Sequence, residues 1–225
     1  MAVRQLFIPI KNYIGVRIEN IEFKYFSGFS ETQKQKNIES LHFACYENGF
    51  RNILEVSTKS LVLLGRKLSA FNLTAETMVH HQKFTVEQAF QSTKVFENGG
   101  PYTDLLHKTS REAKLDVRLK SSGKLKYFEL FGERYENFPP TLFYDWLYIN
   151  TLSKNIELFD DLNEYCSFTD IEFNEKKSIN CQAYSLALFI SLRDNNVSLE
   201  SLKDISVLKK ICEKEYSKRW KNHNQ

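Results

Sequence analysis

Within the stretch TVEQAFQSTKVFENGG, Glu87, Gln91 and Lys94 place a carboxylate, a primary amide and an ammonium at positions i, i+4 and i+7. On a helix that spacing puts all three on one face. Such a row can hold a sugar hydroxyl and polarise an anomeric carbon. A carboxylate in the first turn also sits at the favourable, positive end of the helix dipole. Spacing alone describes a solvated polar face equally well, and that is the commoner meaning of the pattern.

The elements that must position these groups can be read from their boundaries. Thr85 and Gln88 have the spacing of a capping box, and Gly99-Gly100 supplies a left-handed stop, which predicts a helix over 86–97. Val86, Phe90 and Val95 then form an adjacent face able to reach a core. Upstream, Val16–Phe26 alternates apolar and polar residues as a strand does. Ser30 with Gln33 opens a helix running to Tyr46, with Ile38, Leu41 and Cys45 on one face, and Asn48-Gly49 closes it. ILEVST then reads as a second strand. LGRKLSAFNL at 64–73 has the character of a loop or strand end. After Pro139-Pro140 a long apolar helix is expected from near Thr141 through TLFYDWLYINTLSKNIELFDDL, and 178–192 reads as a buried helix. The last segment, SLESLKDISVLKKICEKEYSKRW, is amphipathic and ends in the basic residues Lys218, Arg219 and Lys221. These elements predict a helix-rich α+β fold, with a small strand–helix–strand extension over residues 1–60 and the main domain over 61–225.

Composition narrows the functions available. The chain has 225 residues, suited to one substantial domain or one domain with an appendage, and a net charge of +3 that specifies no partner. Aromatic residues reach 14%, enough for a Phe-rich core as well as for a few rings that stack on a base. Cys45, Cys166, Cys181 and Cys212 are too scattered for a zinc site or a disulfide scaffold. His80-His81 has no Cys or carboxylate at ligand spacing, so a surface loop is its expected place and no metal is expected. No Gly-rich phosphate loop of the GxGxxG or GxxxxGK[ST] form occurs. No apolar run approaches the roughly 18 residues needed to span a membrane, and no signal peptide is evident, so a cytoplasmic protein is expected.

Four segments together resemble one family. LGRKLSAFNL at 64–73 resembles an FSNF-type segment. TVEQAFQSTKVFENGGPYTDLL at 85–106 resembles an EHxxQxxK helix, with Glu87, Gln91 and Lys94 on the matching positions. LFYDWLYI at 142–149 and FTDIEFNEKKSINCQA at 168–183 complete the set. The family is NADAR, also called YbiA-like, and FSETQKQKNIESLH at 29–42 resembles its DarT-toxin-associated antitoxin branch. The family's usual DxxWG pattern is absent here.

The resemblance implies a YbiA-like catalytic domain that removes ADP-ribose from modified guanine bases in DNA. Such a base is reached best in a single strand or flipped from the stack, so better activity on single strands is expected, and no cofactor is expected. It implies ADP-ribose as product and a DarT-type toxin as cognate partner. Cleaving the bond from an anomeric carbon to a base nitrogen builds positive charge on the sugar, so Glu87 is expected to stabilise that charge or to act as general base. Asp170 is the candidate second carboxylate, with Glu172 behind it. Lys94 is expected either to capture an opened ribose aldehyde as a Schiff base or simply to pair with phosphate or Glu87. Among ligand contacts, Arg66 and Lys67 are assigned to the pyrophosphate, and Ser69 and Asn72 to ribose hydroxyls. Gln91 is placed beside the sugar, Phe71 and Trp146 against a base, and Asn180 in support. Trp146 lies in an apolar helical run where a core role is also open, and Asp145 beside it fits a local pairing role. Three other readings stay open: a non-catalytic ADP-ribose reader, an N-glycosidase acting on a small metabolite, and an antitoxin that acts by direct contact with its toxin. The basic C-terminal segment suits DNA, a protein partner or plain solvation.

Overall fold

Most of the expected strands and helices form, with boundaries that shift at several points along the chain. A computed structural model describes residues 1–77, 81–175 and 178–223. In chain order come strands β1 (Ala2–Pro9) and β2 (Val16–Phe23), helix α1 (Glu31–Glu47), strand β3 (Ile53–Glu55), helix α2 (Leu63–Lys67) and strands β4 (Thr74–Glu76) and β5 (Lys83–Thr85). Helix α3 (Val86–Ser92), strand β6 (Lys94–Phe96), helices α4 (Ser110–Leu115) and α5 (Arg118–Ser121) and strands β7 (Leu125–Leu130) and β8 (Glu133–Glu136) follow. The remainder is α6 (Leu142–Ser153), α7 (Phe159–Leu162), β9 (Ser167–Thr169), α8 (Gln182–Asp194), α9 (Ile205–Ile211) and α10 (Glu213–His223). The protein is thus a helix-rich α+β fold with several small sheets. No helix among the described residues is long and apolar enough to cross a membrane.

The chain forms two compact units, Met1–Ser69 with Asn155–Ser201, and Ala70–Lys154 with Leu202–Gln225. In the first, a four-stranded sheet of order β2-β1-β9-β3 is antiparallel except where β3 runs parallel to β9. Leu6, Ile21 and Phe23 on one sheet face bury against Ile38, Leu41 and Cys45, the face expected of α1. Phe7, the next residue of β1, meets the Tyr184 ring of α8 edge-on at 5.9 Å. The pleat therefore gives each face of β1 its own helix to cover it. Ser30 caps α1, its hydroxyl accepting from the Gln33 amide at 3.2 Å.

In the second unit the Thr85–Gln88 capping box is complete, with both reciprocal bonds formed. Helix α3 is shorter than the 86–97 expected, since it ends at Ser92 and Lys94 opens a strand. The run Thr93, Val95, Phe96 suits a pleated strand when a partner is present, and β7 provides one by pairing Lys94 with Phe128 and Val95 with Tyr127. Gly99 and Gly100 do take positive φ, yet they close the turn after β6 instead of stopping a helix. A Cβ on Gly100 would meet the Lys94 carbonyl oxygen at 2.2 Å, so only glycine fits there.

Three further boundaries move. The helix expected from Thr141 ends at Ser153, where Asn155 leaves helical geometry, and α7 is separate. The amphipathic C-terminal segment divides at Cys212 into α9 and α10. Residues 63–67, expected as loop or strand end, form the short helix α2.

Candidate functional site

Glu87, Gln91 and Lys94 converge because three pieces of chain are tied to the start of α3. The Glu87 amide donates to the Ala70 carbonyl at 2.9 Å and the Val86 amide to that of Leu73 at 3.0 Å, which wraps the Phe71 segment around the helix N-terminus. Thr85 Oγ1 meets Ser110 Oγ at 2.8 Å, and Ser110 Oγ donates to the Phe71 carbonyl at 3.0 Å. Gln88 Nε2 donates to the Lys108 carbonyl. The capping residues of α3 thereby also dock α4, which carries Lys114.

The result is a continuous polar chain. Lys114 Nζ lies 3.8 Å from Glu87 Oε1, Gln91 Nε2 donates to the same Glu87 oxygen at 2.8 Å, and Lys94 Nζ donates to Gln91 Oε1 at 2.7 Å. The amide's donor faces the carboxylate and its acceptor faces the ammonium, so both of its polar ends are matched. Glu87 is only 4% exposed. Lys94 lies over the Phe90 ring at 4.4 Å, and Lys114 over the Phe71 ring at 4.9 Å. Burial pushes the Lys94 amine down to about 8; Glu87 opposes that shift and Lys114 reinforces it. A buried carboxylate beside a partly discharged amine can stabilise an electron-poor carbon, accept a proton or present a nucleophile.

In the first unit Asp170 and Ser69 are brought together through Gln182. Gln182 Nε2 donates to Asp170 Oδ2 at 3.0 Å and to the Val56 carbonyl at 2.7 Å, while Ser69 Oγ donates to Gln182 Oε1 at 3.3 Å. Asp170 Oδ1 accepts from the backbone amides of Glu172 and Phe173 at 3.0 and 3.1 Å. A second buried carboxyl, Glu55, accepts from Thr169 Oγ1 at 2.6 Å and from the Ile171 amide at 2.8 Å. His42 Nε2 meets the same Thr169 hydroxyl at 3.0 Å. Burial raises both carboxyls above the ordinary range, and for Asp170 the neighbouring Glu55 and Glu172 add to it. Burial also lowers His42 to about 4.

The other sequence-selected residues are placed as follows. Arg66 Nη1 donates to the Ser60 and Leu61 carbonyls at 2.7 and 3.2 Å, and Lys67 is exposed. Phe71 is half-buried and Asn72 exposed. Asn180 is half-buried, its carbonyl accepting from Ser178 Oγ at 3.2 Å. Trp146 is 9% exposed, packs on Tyr135 and Phe143, and donates its indole N–H to the Lys203 carbonyl at 3.1 Å. His81 pairs with Glu76 at 2.6 Å, so a carboxylate does stand beside it, whereas His80 lies outside the described residues. No group of three His, Cys, Asp or Glu side chains placed to hold a metal occurs among the described residues.

Sequence reasoning missed Lys114, Glu55 and Gln182. The Thr109–Glu112 capping box marks the start of α4, but nothing local ties Lys114 to Glu87. Glu55 had a signal: a carboxylate inside the apolar strand ILEV is costly unless partners await it. Comparison with curated proteins finds no match. A family model described as "NADAR-DarT1: DarT1-associated NADAR antitoxin" does match, over residues 2–222, nearly the whole length and across every segment discussed above. The chain therefore belongs to the family of DarT1-associated NADAR antitoxins.

Proposed function

We propose that this protein is an ADP-ribosyl glycohydrolase that removes ADP-ribose from modified guanine in single-stranded DNA, and so reverses the action of a DarT-type toxin. The observation that carries the reading is the buried chain from Glu87 through Gln91 to Lys94, all in one unit. Hydrolysis breaks the bond between the ribose anomeric carbon and the guanine nitrogen. Water supplies the hydroxyl to the carbon and a proton to the leaving base. Glu87, buried and held by Gln91, stabilises the positive charge that develops on the sugar or takes the proton of the attacking water. Lys94, whose amine is lowered to about 8 and so is free in a minor fraction at neutral pH, condenses with the aldehyde of the ring-opened ribose to an imine with loss of water. Water then hydrolyses that imine to release ADP-ribose. Asp170, buried in the other unit with its proton affinity raised, is kept as the proposed second carboxylate.

The test uses a guanine-ADP-ribosylated single-stranded oligonucleotide, incubated with wild type and with Glu87→Ala and resolved by mass. Loss of ADP-ribose with wild type alone supports the hydrolase and places Glu87 in it. An oligonucleotide unchanged by wild type overturns the reading. Tight ADP-ribose binding would then indicate a reader, and coelution with the toxin an antitoxin that works by contact. Cleavage of a small N-glycoside but not of the oligonucleotide would indicate a metabolite enzyme.

A further inference from the structure

Lys114 is the cation of the Glu87 site that faces solvent. Its side chain is 54% exposed where that of Glu87 is 6%, and it reaches both the carboxylate, at 3.8 Å, and the face of the Phe71 ring. A salt bridge at that distance and exposure is weak, so Glu87 does not account for the placement energetically. Arg111, three residues earlier on α4, is also exposed and shares the helix face with Lys114. The α4 helix is fixed to the start of α3 by the Thr85–Ser110 and Gln88–Lys108 bonds, so these cations keep a set relation to the carboxylate.

We propose that Lys114, assisted by Arg111, binds the diphosphate of the ADP-ribosyl group; the inference rests on the functional reading given above. When Glu87 faces the anomeric carbon, the diphosphate stands one sugar ring away. The mobile ammonium of Lys114 can swing from the carboxylate to that anion, and the Phe71 ring supports its stem. Phosphate oxygens also occur along DNA, so the chemistry could be directed to the nucleic-acid backbone instead. The proposal commits to the diphosphate because the cation adjoins the carboxylate assigned to the sugar.

The experiment titrates free ADP-ribose, and separately an unmodified single-stranded oligonucleotide, into the full chain by calorimetry. Lys114→Met is expected to weaken ADP-ribose binding about tenfold or more, the effect of removing one charge-assisted bond. Lys114→Arg should stay within a few-fold of wild type, and Arg111→Ala should show a smaller loss. Repeating Lys114→Met in a Glu87→Gln background separates direct contact from action through Glu87, and the loss should persist there. A loss that vanishes in that background overturns the proposal, as does a Lys114→Met variant that keeps full ADP-ribose affinity or loses only oligonucleotide binding. A wild type that binds no ADP-ribose instead overturns the functional reading itself, and this inference with it. Melting curves confirm folding of each variant, which the exposure of both side chains favours.

Discussion

Lys94 donates to Gln91 at 2.7 Å although the two residues belong to different elements, Gln91 to α3 and Lys94 to the first position of β6. The expected i, i+3 neighbourhood survives the end of the helix because Thr93 keeps helical φ and ψ at the cap before the chain extends. Lys94 is then held by two independent constraints, the amide of Gln91 and the pairing of β6 with β7.

Gln91 should therefore matter through position rather than chemistry. Gln91→Leu keeps the volume but leaves the inner edges of Glu87 and Lys94 without their shared partner. Turnover of the modified oligonucleotide is expected to fall about a hundredfold, the cost of a misplacement near 1 Å. Gln91→Glu should fall as far, because a second carboxylate beside Glu87 raises the proton affinity of both. Single-turnover rates for the two variants check this, and a Gln91→Leu rate within threefold of wild type would show the bridge to be dispensable.

How much of this was legible beforehand follows from the range over which each feature is encoded. The Ser30 cap, the capping box at Thr85 and the apolar face of α1 depend on residues within one or two turns, and the sequence displays them. The end of α3 does not, because it is decided by β7, some 30 residues later, which offers Phe128 and Tyr127 as strand partners. The same reason hid Lys114, which sits 27 positions beyond Glu87, and Glu55, whose partners Thr169 and Ile171 follow by more than 100. The family motif singled out Glu87, Gln91 and Lys94, but it could not say that Gln91 would join the other two.

The depressed amine of Lys94 gives a pH signature. If the free amine reacts, the rate should climb with its fraction up to about pH 8 and then level off. Lys94→Arg should be inactive, since guanidinium keeps its charge and does not form an imine. A rate–pH series for wild type, with borohydride trapping followed by mass measurement, checks both. An active Lys94→Arg variant would assign Lys94 to charge pairing alone.

The buried carboxyls of the first unit predict an unusual pH dependence of stability. Glu55 and Asp170 bind protons more tightly folded than unfolded, so their contribution is fully present at low pH and is lost as pH rises through their raised folded values. His42 acts oppositely: its folded value of about 4 lies below the ordinary 6.5, so it destabilises the fold as pH falls between them. Lys94 adds stability only above about pH 8. Between pH 6.5 and 8 Asp170, raised to about 8, should dominate, and the melting temperature should drop as pH rises. Asp170→Asn should flatten that slope while keeping an acceptor for the Glu172 and Phe173 amides. Calorimetric scans at half-unit intervals check it, and an identical slope in the variant would remove Asp170 from the explanation.

The second unit holds its own buried charge. Asp145, fully buried at the start of α6, accepts from Thr141 Oγ1 at 2.9 Å and from Arg219 Nη1 of α10 at 3.2 Å, and Arg219 also donates to Thr141 Oγ1 at 2.8 Å. Thr141 sits at φ +73, a left-handed conformation that these two side chains help to hold. Asp145→Ala takes the carboxylate away from a mostly buried guanidinium and is expected to cost roughly 3 kcal/mol, whereas Asp145→Asn keeps an acceptor and should cost less. Adding Arg219→Met to Asp145→Ala should recover part of the loss, because the guanidinium that has lost its carboxylate is then removed as well. Urea unfolding of wild type, Asp145→Ala, Arg219→Met and the double variant gives the coupling directly. Single-variant losses that simply add in the double variant would mean that α10 is held to α6 by its apolar contacts and not by this pair.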